Sequence, residues 1–95
     1  MQLEIVTPEA VVFKAEVEAV KVPGTDGEFQ MLNNHAPIVS TLTEGEVKIN
    51  LASGSSGVLE ALPAEFRKEG DKVLFYPIKG GVLEMKDNKA IILAD

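Results

Sequence analysis

His35 and fifteen acidic side chains have the widest chemical reach in this chain, and their spacing limits what they can do. A nucleophilic triad needs a base beside its nucleophile. The chain has no cysteine, and no Gly-x-Ser-x-Gly turn accompanies its single histidine. His35 lies in the polar stretch Asn33-Asn34-His35-Ala36-Pro37, where it reads as a loop-shaping or interface residue rather than a base. A zinc site is disfavoured, since one histidine and no cysteine leave carboxylates to supply most ligands. Glu16 and Glu18, like Glu44 and Glu46, stand two apart and so share one face of a strand. On an acidic chain such pairs read as solvated surface rather than the acid and base of a hydrolase. Asp26-Gly27-Glu28 carries too few oxygen ligands for a calcium loop. Neither a Walker loop nor Gly-x-Gly-x-x-Gly occurs, and Gly24-Thr25-Asp26-Gly27 puts an acid where an anion would sit. The residues therefore favour binding through loops over catalysis, with no cofactor and no metal.

The elements that position these residues follow from composition and alternation. Ninety-five residues, 45% apolar and 25% charged, suit one globular domain, residues 1–95. Nine basic against fifteen acidic residues give a net charge of −6, so a basic stripe for nucleic acid is not expected. The longest apolar run, Ala90 to Ala94, is five residues, far short of the ~20 of a membrane-spanning helix. Met1-Gln2-Leu3-Glu4-Ile5 has no secretory pattern, and a cytoplasmic address is expected.

Period-two alternation predominates, and Gly, Pro, Asn and Asp punctuate it at short intervals. Leu3 and Ile5 mark a first strand ended by Thr7-Pro8, and Val11-Val12-Phe13 opens the next. From Glu16 to Val22 the parity slips near Ala19-Val20, which predicts a bulge there or burial on both faces. Pro23 to Gly27 reads as a turn with two glycines able to take positive φ, followed by a strand from Glu28 to Leu32. Ile38-Val39 and Leu42 resume the pattern, and Val47, Ile49 and Leu51 form the clearest half-buried strand. Ser53 to Gly57 reads as a flexible loop, and Pro63 to Gly70 as a short helical turn. Val73 to Tyr76 is a strand, and Asp87-Asn88 joins Val82–Lys86 to Lys89–Leu93 in a closing hairpin. Some eight strands with turns between them predict an all-β sandwich or barrel.

The fragments Leu3 to Glu9, Val12-Phe13, Val20-Lys21-Val22-Pro23-Gly24-Thr25-Asp26-Gly27-Glu28-Phe29, His35-Ala36-Pro37, Gly80 to Met85 and Ile91 to Asp95 recur in order in a known family. The chain resembles the β-sandwich domain of the epsilon subunit of F-type ATP synthase. It departs from that pattern at Gln30, commonly Gly, and Asn33, commonly Pro, and is longer between Asn50 and Val73. The resemblance implies a flattened antiparallel sandwich of roughly eight to ten short strands. It also implies a non-catalytic rotor part that packs on the gamma subunit, sits on the loops of the c-ring and couples proton flow to ATP synthesis. The expected ring-facing positions are Glu28, Gln30, Met31, Leu32, Asn33, Asn34, His35, Ala36 and Pro37, with Glu28 opposite a basic ring residue. The gamma-facing surface should be a different, more apolar part. The implied location is peripheral, on the cytoplasmic face of the bacterial inner membrane, without insertion, and the chain should be a monomer outside the complex. Many members continue into two inhibitory helices; with the chain stopping at Asp95, that helical hairpin is expected to be absent. A rival class is a biotinyl or lipoyl carrier domain, a small acidic β-sandwich modified at a hairpin lysine, for which Lys86 is the candidate.

Overall fold

Nine strands carry this alternation in the computed structural model, which describes residues 1–54 and 62–95. They are β1 (Gln2–Val6), β2 (Val11–Gly24), β3 (Gly27–Leu32), β4 (Ile38–Leu42), β5 (Gly45–Leu51), β6 (Arg67–Glu69), β7 (Val73–Ile78), β8 (Gly81–Lys86) and β9 (Lys89–Ala94). The protein is an all-β sandwich, as the alternation and the resemblance both implied.

One strand belongs to both layers. The first half of β2 pairs with β1, and its second half pairs with β3 on one side and β5 on the other. The first layer is thus β4, β8, β9, β1 and the start of β2; the second is β3, the end of β2, β5, β7 and β6. The change of layer coincides with the parity slip. Against β5, Val17 pairs with Leu51 but Ala19 pairs with Asn50, so Glu18 is the extra residue of a bulge. Before it Phe13, Ala15 and Val17 point inward; after it Val20 and Val22 do. The two inner faces meet in a core that includes Leu3, Ile5, Val20, Ile49, Leu74 and Ile92, each at 0% exposure. Burying each such aliphatic side chain stabilises the fold by about 1.5–3 kcal/mol.

Turn chemistry sets the registers. Asp87 at φ 52° and Asn88 at φ 58° form the two-residue left-handed turn expected between β8 and β9. Of the two glycines expected to turn β2 into β3, only Gly27 takes positive φ (125°), while Gly24 completes β2 as its pairing partner. Three features differ from the sequence reading. β1 and β9 run parallel inside an otherwise antiparallel ladder. β2, at 14 residues, is not short. Pro63 to Gly70 is not helical: the Phe66 N–H donates to the Pro63 carbonyl, and then Arg67–Glu69 extends as a strand against β7. That strand forms because Phe66 stacks on Phe13 and Tyr76, with centroids 5.7 and 4.6 Å away, and carries the chain onto the sheet edge. Gly70 then turns it back at φ 73°. The expected flexible loop from Ser53 to Gly57 falls largely outside the described residues, as do residues 55–61 of the longer segment.

Candidate functional site

The expected ring-facing residues lie along one edge of the sandwich. Among the described residues β3 pairs only with β2, which leaves its outer edge open there. Glu28 and Gln30 are exposed on it and Leu32 is 56% exposed, all on one side of the pleat. Met31 has the opposite parity and is fully buried, so its side chain is a core residue and not part of that surface. Glu28 stands 3.9 Å from Lys21 on the neighbouring strand, with its side chain 63% exposed, so the contact is a weak surface ion pair. Asn33, Asn34, Ala36 and Pro37 are exposed beyond the strand, and His35 is half-buried. Glu28 and His35 therefore lie at opposite ends of the edge, about 13 Å of strand apart over residues 28–32 alone.

His35 shapes its loop. Its N–H donates to the Leu32 carbonyl at 3.1 Å, and its Nδ1 lies 2.7 Å from the Ala36 carbonyl. A carbonyl only accepts, so Nδ1 carries the proton and Nε2 remains for another partner. Asn33 and Asn34 are tied to distant parts of the chain. The Met1 ammonium donates to Asn33 Oδ1, to the Val17 carbonyl at 3.2 Å and to Glu16 Oε2 at 3.2 Å. Asn34 at φ 64° donates its N–H to Asn88 Oδ1 at 2.7 Å.

A second surface begins where this loop enters β4. On the outer face of the first layer, Val82, Leu93, Val6 and Val11 follow one another across β8, β9, β1 and β2 in register. The neighbouring row runs from Val39 through Glu84 and Ile91 to Glu4. Val39 is 70% exposed, Leu93 53% and Val82 40%. With Ile91 and Glu84 these residues line a shallow depression of about 320 Å³. Glu84 is the one carboxylate among its lining residues, so a partner seated there would bring a cation to it. The sequence signal for this face was the five-residue apolar run Ala90 to Ala94. Ala90, Ile92 and Ala94 are buried, which leaves Ile91 and Leu93 facing outward.

The outer face of the second layer differs. Lys21, Lys48, Phe75 and Arg67 align across β2, β5, β7 and β6. The register thus assembles a row of cations that the linear sequence does not display. Its charges are answered locally: Arg67 lies 3.0 Å from Glu46 and 3.8 Å from Glu69, and its guanidinium sits 4.1 Å from the Phe75 ring centre. Lys48 lies over the same ring at 6.0 Å.

Among the described residues two groups have shifted pKa values. The hydrogen bond from Lys89, at 3.0 Å, holds the Glu4 carboxyl below its ordinary value, against a smaller opposing effect of burial. Burial, and then the charges of Glu65 and Glu9, push the Tyr76 phenol up. Neither group lies in a cleft with a nucleophile. Among the described residues no group of three His, Cys, Asp or Glu side chains is placed to hold a metal ion, and no helix is long and apolar enough to cross a membrane. Lys86 pairs with Lys89 at the end of β8, while Asp87 and Asn88 fill the turn positions where a carrier lysine would be presented.

The structure is thus a small two-layer β-sandwich with one open polar edge and one apolar outer face. Residues 1–61 match the family described as ATP synthase, Delta/Epsilon chain, beta-sandwich domain, and the chain belongs to that family. It is 35% identical over 95 residues to the ATP synthase epsilon chain of Leptospira borgpetersenii, covering all of this chain and 61% of that one. With the ATP synthase epsilon chain of Chlorobium limicola the identity is 34% over 94 residues, covering 99% and 88%. The chain thus spans 61% of the length of the Leptospira relative. Its fold is shared with a chain in the cryo-EM structure of the Euglena gracilis mitochondrial ATP synthase (TM-score 0.72, 22% identity, 97% of this chain and 48% of that one). A chain of the Tetrahymena thermophila mitochondrial ATP synthase central stalk and c-ring structure also shares it (TM-score 0.68, 15% identity, 99% and 62%).

Proposed function

We propose that this chain is a non-catalytic rotor part of a proton-translocating F-type ATP synthase, joining the c-ring to the gamma subunit. The observation that carries the reading is the adjacency of two surfaces of opposite character. The polar edge of β3 and residues 33–37 run directly into Val39 and the apolar face of β4, β8 and β9. The polar edge, with Glu28, Gln30 and the free Nε2 of His35, suits the charged and polar loops at the end of a ring of membrane helices. The apolar face suits gamma, because a rotor contact that bears torque needs a well-packed interface of more than ~1,000 Å². Family membership supports the same assignment, as do relatives named ATP synthase epsilon chain. Catalysis would have to come from other subunits. In this reading the chain is held peripherally at the cytoplasmic face of a bacterial inner membrane.

An affinity tag placed after the exposed Asp95 tests this, because the Met1 amino group is buried beneath three acceptors. Capture from detergent-solubilised membranes of the native source should bring down gamma, alpha, beta and c subunits together. Capture of the chain alone, or with a biotin- or lipoate-dependent complex, would sink the proposal and return attention to Lys86.

A further inference from the structure

The loop proposed to meet the ring takes part of its shape from outside itself. Asn34 sits in the left-handed region at φ 64°, which asparagine tolerates better than most residues. Its N–H is held by Asn88 Oδ1, at 2.7 Å, from the turn that joins β8 to β9. The Asn88 carbonyl accepts the Gln2 N–H at 3.1 Å, so the same residue is also fastened to β1. The strands on either side of Asn88 are those that carry Val82, Ile91 and Leu93.

We propose that Asn88 is a positioning residue that fixes the β3–β4 loop to the hairpin bearing the apolar face, so that the two partner surfaces move as one body. This rests on the rotor reading given above. Asparagine meets two requirements at this position. It tolerates φ 58°, and its side chain offers an acceptor that reaches across to the loop. Torque passing from one docking surface to the other is dissipated by any soft joint between them. Among the described residues the β3–β4 loop has few ties to stiffen that joint: the Asn88 hydrogen bond, the Met1–Asn33 contact and the His35–Leu32 turn.

Asn88→Gly separates the two requirements. Asp-Gly is a preferred pair for this turn, so the hairpin keeps its shape while the acceptor is lost. The Met1–Asn33 contact is untouched, so the loop does not simply come free. Asn88→Asp restores an acceptor and serves as the conservative rescue. Three readouts apply: hydrogen exchange at the Asn34 amide by NMR, affinity for purified c-ring in detergent, and affinity for purified gamma.

With Asn88→Gly, Asn34 exchange should accelerate about five-fold, the loss of one ordinary hydrogen bond. Ring affinity should weaken by a similar factor of about five, gamma affinity should hold, and Asn88→Asp should recover both losses. Unchanged Asn34 exchange in the glycine variant overturns the proposal. So does accelerated exchange with unchanged ring affinity, because the hydrogen bond would then exist without positioning anything. Failure of the unsubstituted chain to bind the ring overturns the rotor reading and with it the docking half of this proposal; Asn34 exchange still decides whether the tie exists.

Discussion

The two outer faces of the sandwich are built by the same alternation and finished in opposite ways. On the second layer the outward positions carry Lys21, Lys48, Arg67, Glu28, Glu46 and Glu69, and the one large aromatic there, Phe75, is covered by Arg67. On the first layer the outward positions of β4, β8 and β9 carry Val39, Val82, Ile91 and Leu93, with Glu84 the one carboxylate lining the depression among them. A solvated sheet face gains nothing from exposed valine and leucine, whereas a face that is covered in an assembly does. The contrast marks the face of β4, β8 and β9 as the one the proposed gamma contact would cover, while on the second layer only the β3 edge, with Glu28, Gln30 and Leu32, is proposed to meet a partner.

The largest expected effect comes from Gly81, where β8 begins beneath the apolar face. At φ 151° it lies so close to β9 that a β-carbon would stand 2.2 Å from the Leu93 carbonyl oxygen and 3.1 Å from the Ala94 Cα. Both neighbours are backbone, so they cannot rotate away. Gly81→Ala should cost about 3 kcal/mol through forced separation of β8 and β9. In a domain of this size that lowers the melting temperature by about 15 °C, measurable by circular dichroism. A loss of only a few degrees would mean that the first layer yields more easily than its close packing implies.

The next test sets one face against the other. Val82→Asp with Leu93→Asp should weaken gamma binding by about 100-fold, since two apolar contacts are lost and two carboxylates must be desolvated. The melting temperature should fall by several degrees as well, because Val82 and Leu93 pair across β8 and β9 and the two carboxylates would face each other there. Arg67→Ala on the opposite face should affect stability alone. It removes a stacked guanidinium and two surface ion pairs, lowers stability by about 1 kcal/mol and leaves gamma binding unchanged. Isothermal titration of each variant against gamma reads both halves. Equal losses of affinity on the two faces would break the comparison.

How much of this was legible in the sequence depends on the range of the interaction that fixes each element. The bulge at Glu18 and the Asp87-Asn88 turn were readable because local parity and local turn chemistry determine them. β6 was not, because Arg67-Lys68-Glu69 carries no alternation; it is extended by its pairing with β7 and by Phe66 stacking across the core. The parallel β1–β9 pair joins the two ends of the chain, and no local pattern encodes it. At the candidate site, parity alone separates Met31 from Glu28 and Gln30, so its burial follows from reading β3 two residues at a time. Val82 and Leu93 were harder. An apolar residue at an outward position looks the same in sequence as one in a strand buried on both sides, and only the assembled layers show which face is uncovered.

The smallest effect concerns the polar end of the first layer's outer face. Glu4 follows Val39, Glu84 and Ile91 in its row and is held by Lys89 across the parallel pair at 3.0 Å. The hydrogen bond from Lys89 lowers the Glu4 pKa in the folded chain. A carboxyl whose folded pKa lies below its unfolded value contributes stability that is present above the unfolded value, about 4.3, and is lost as pH falls through the folded one. Glu4→Gln should therefore lower the urea midpoint slightly at pH 7, and the gap to the unsubstituted chain should close as the pH falls below about 4. The gap at pH 7 should also narrow in 0.5 M salt, because Lys89 is half exposed and the pair is open to screening. A gap that persists unchanged at low pH would mean that the loss does not come from the charge of Glu4, since glutamine keeps the same stem, and that the Lys89 pair contributes nothing to it.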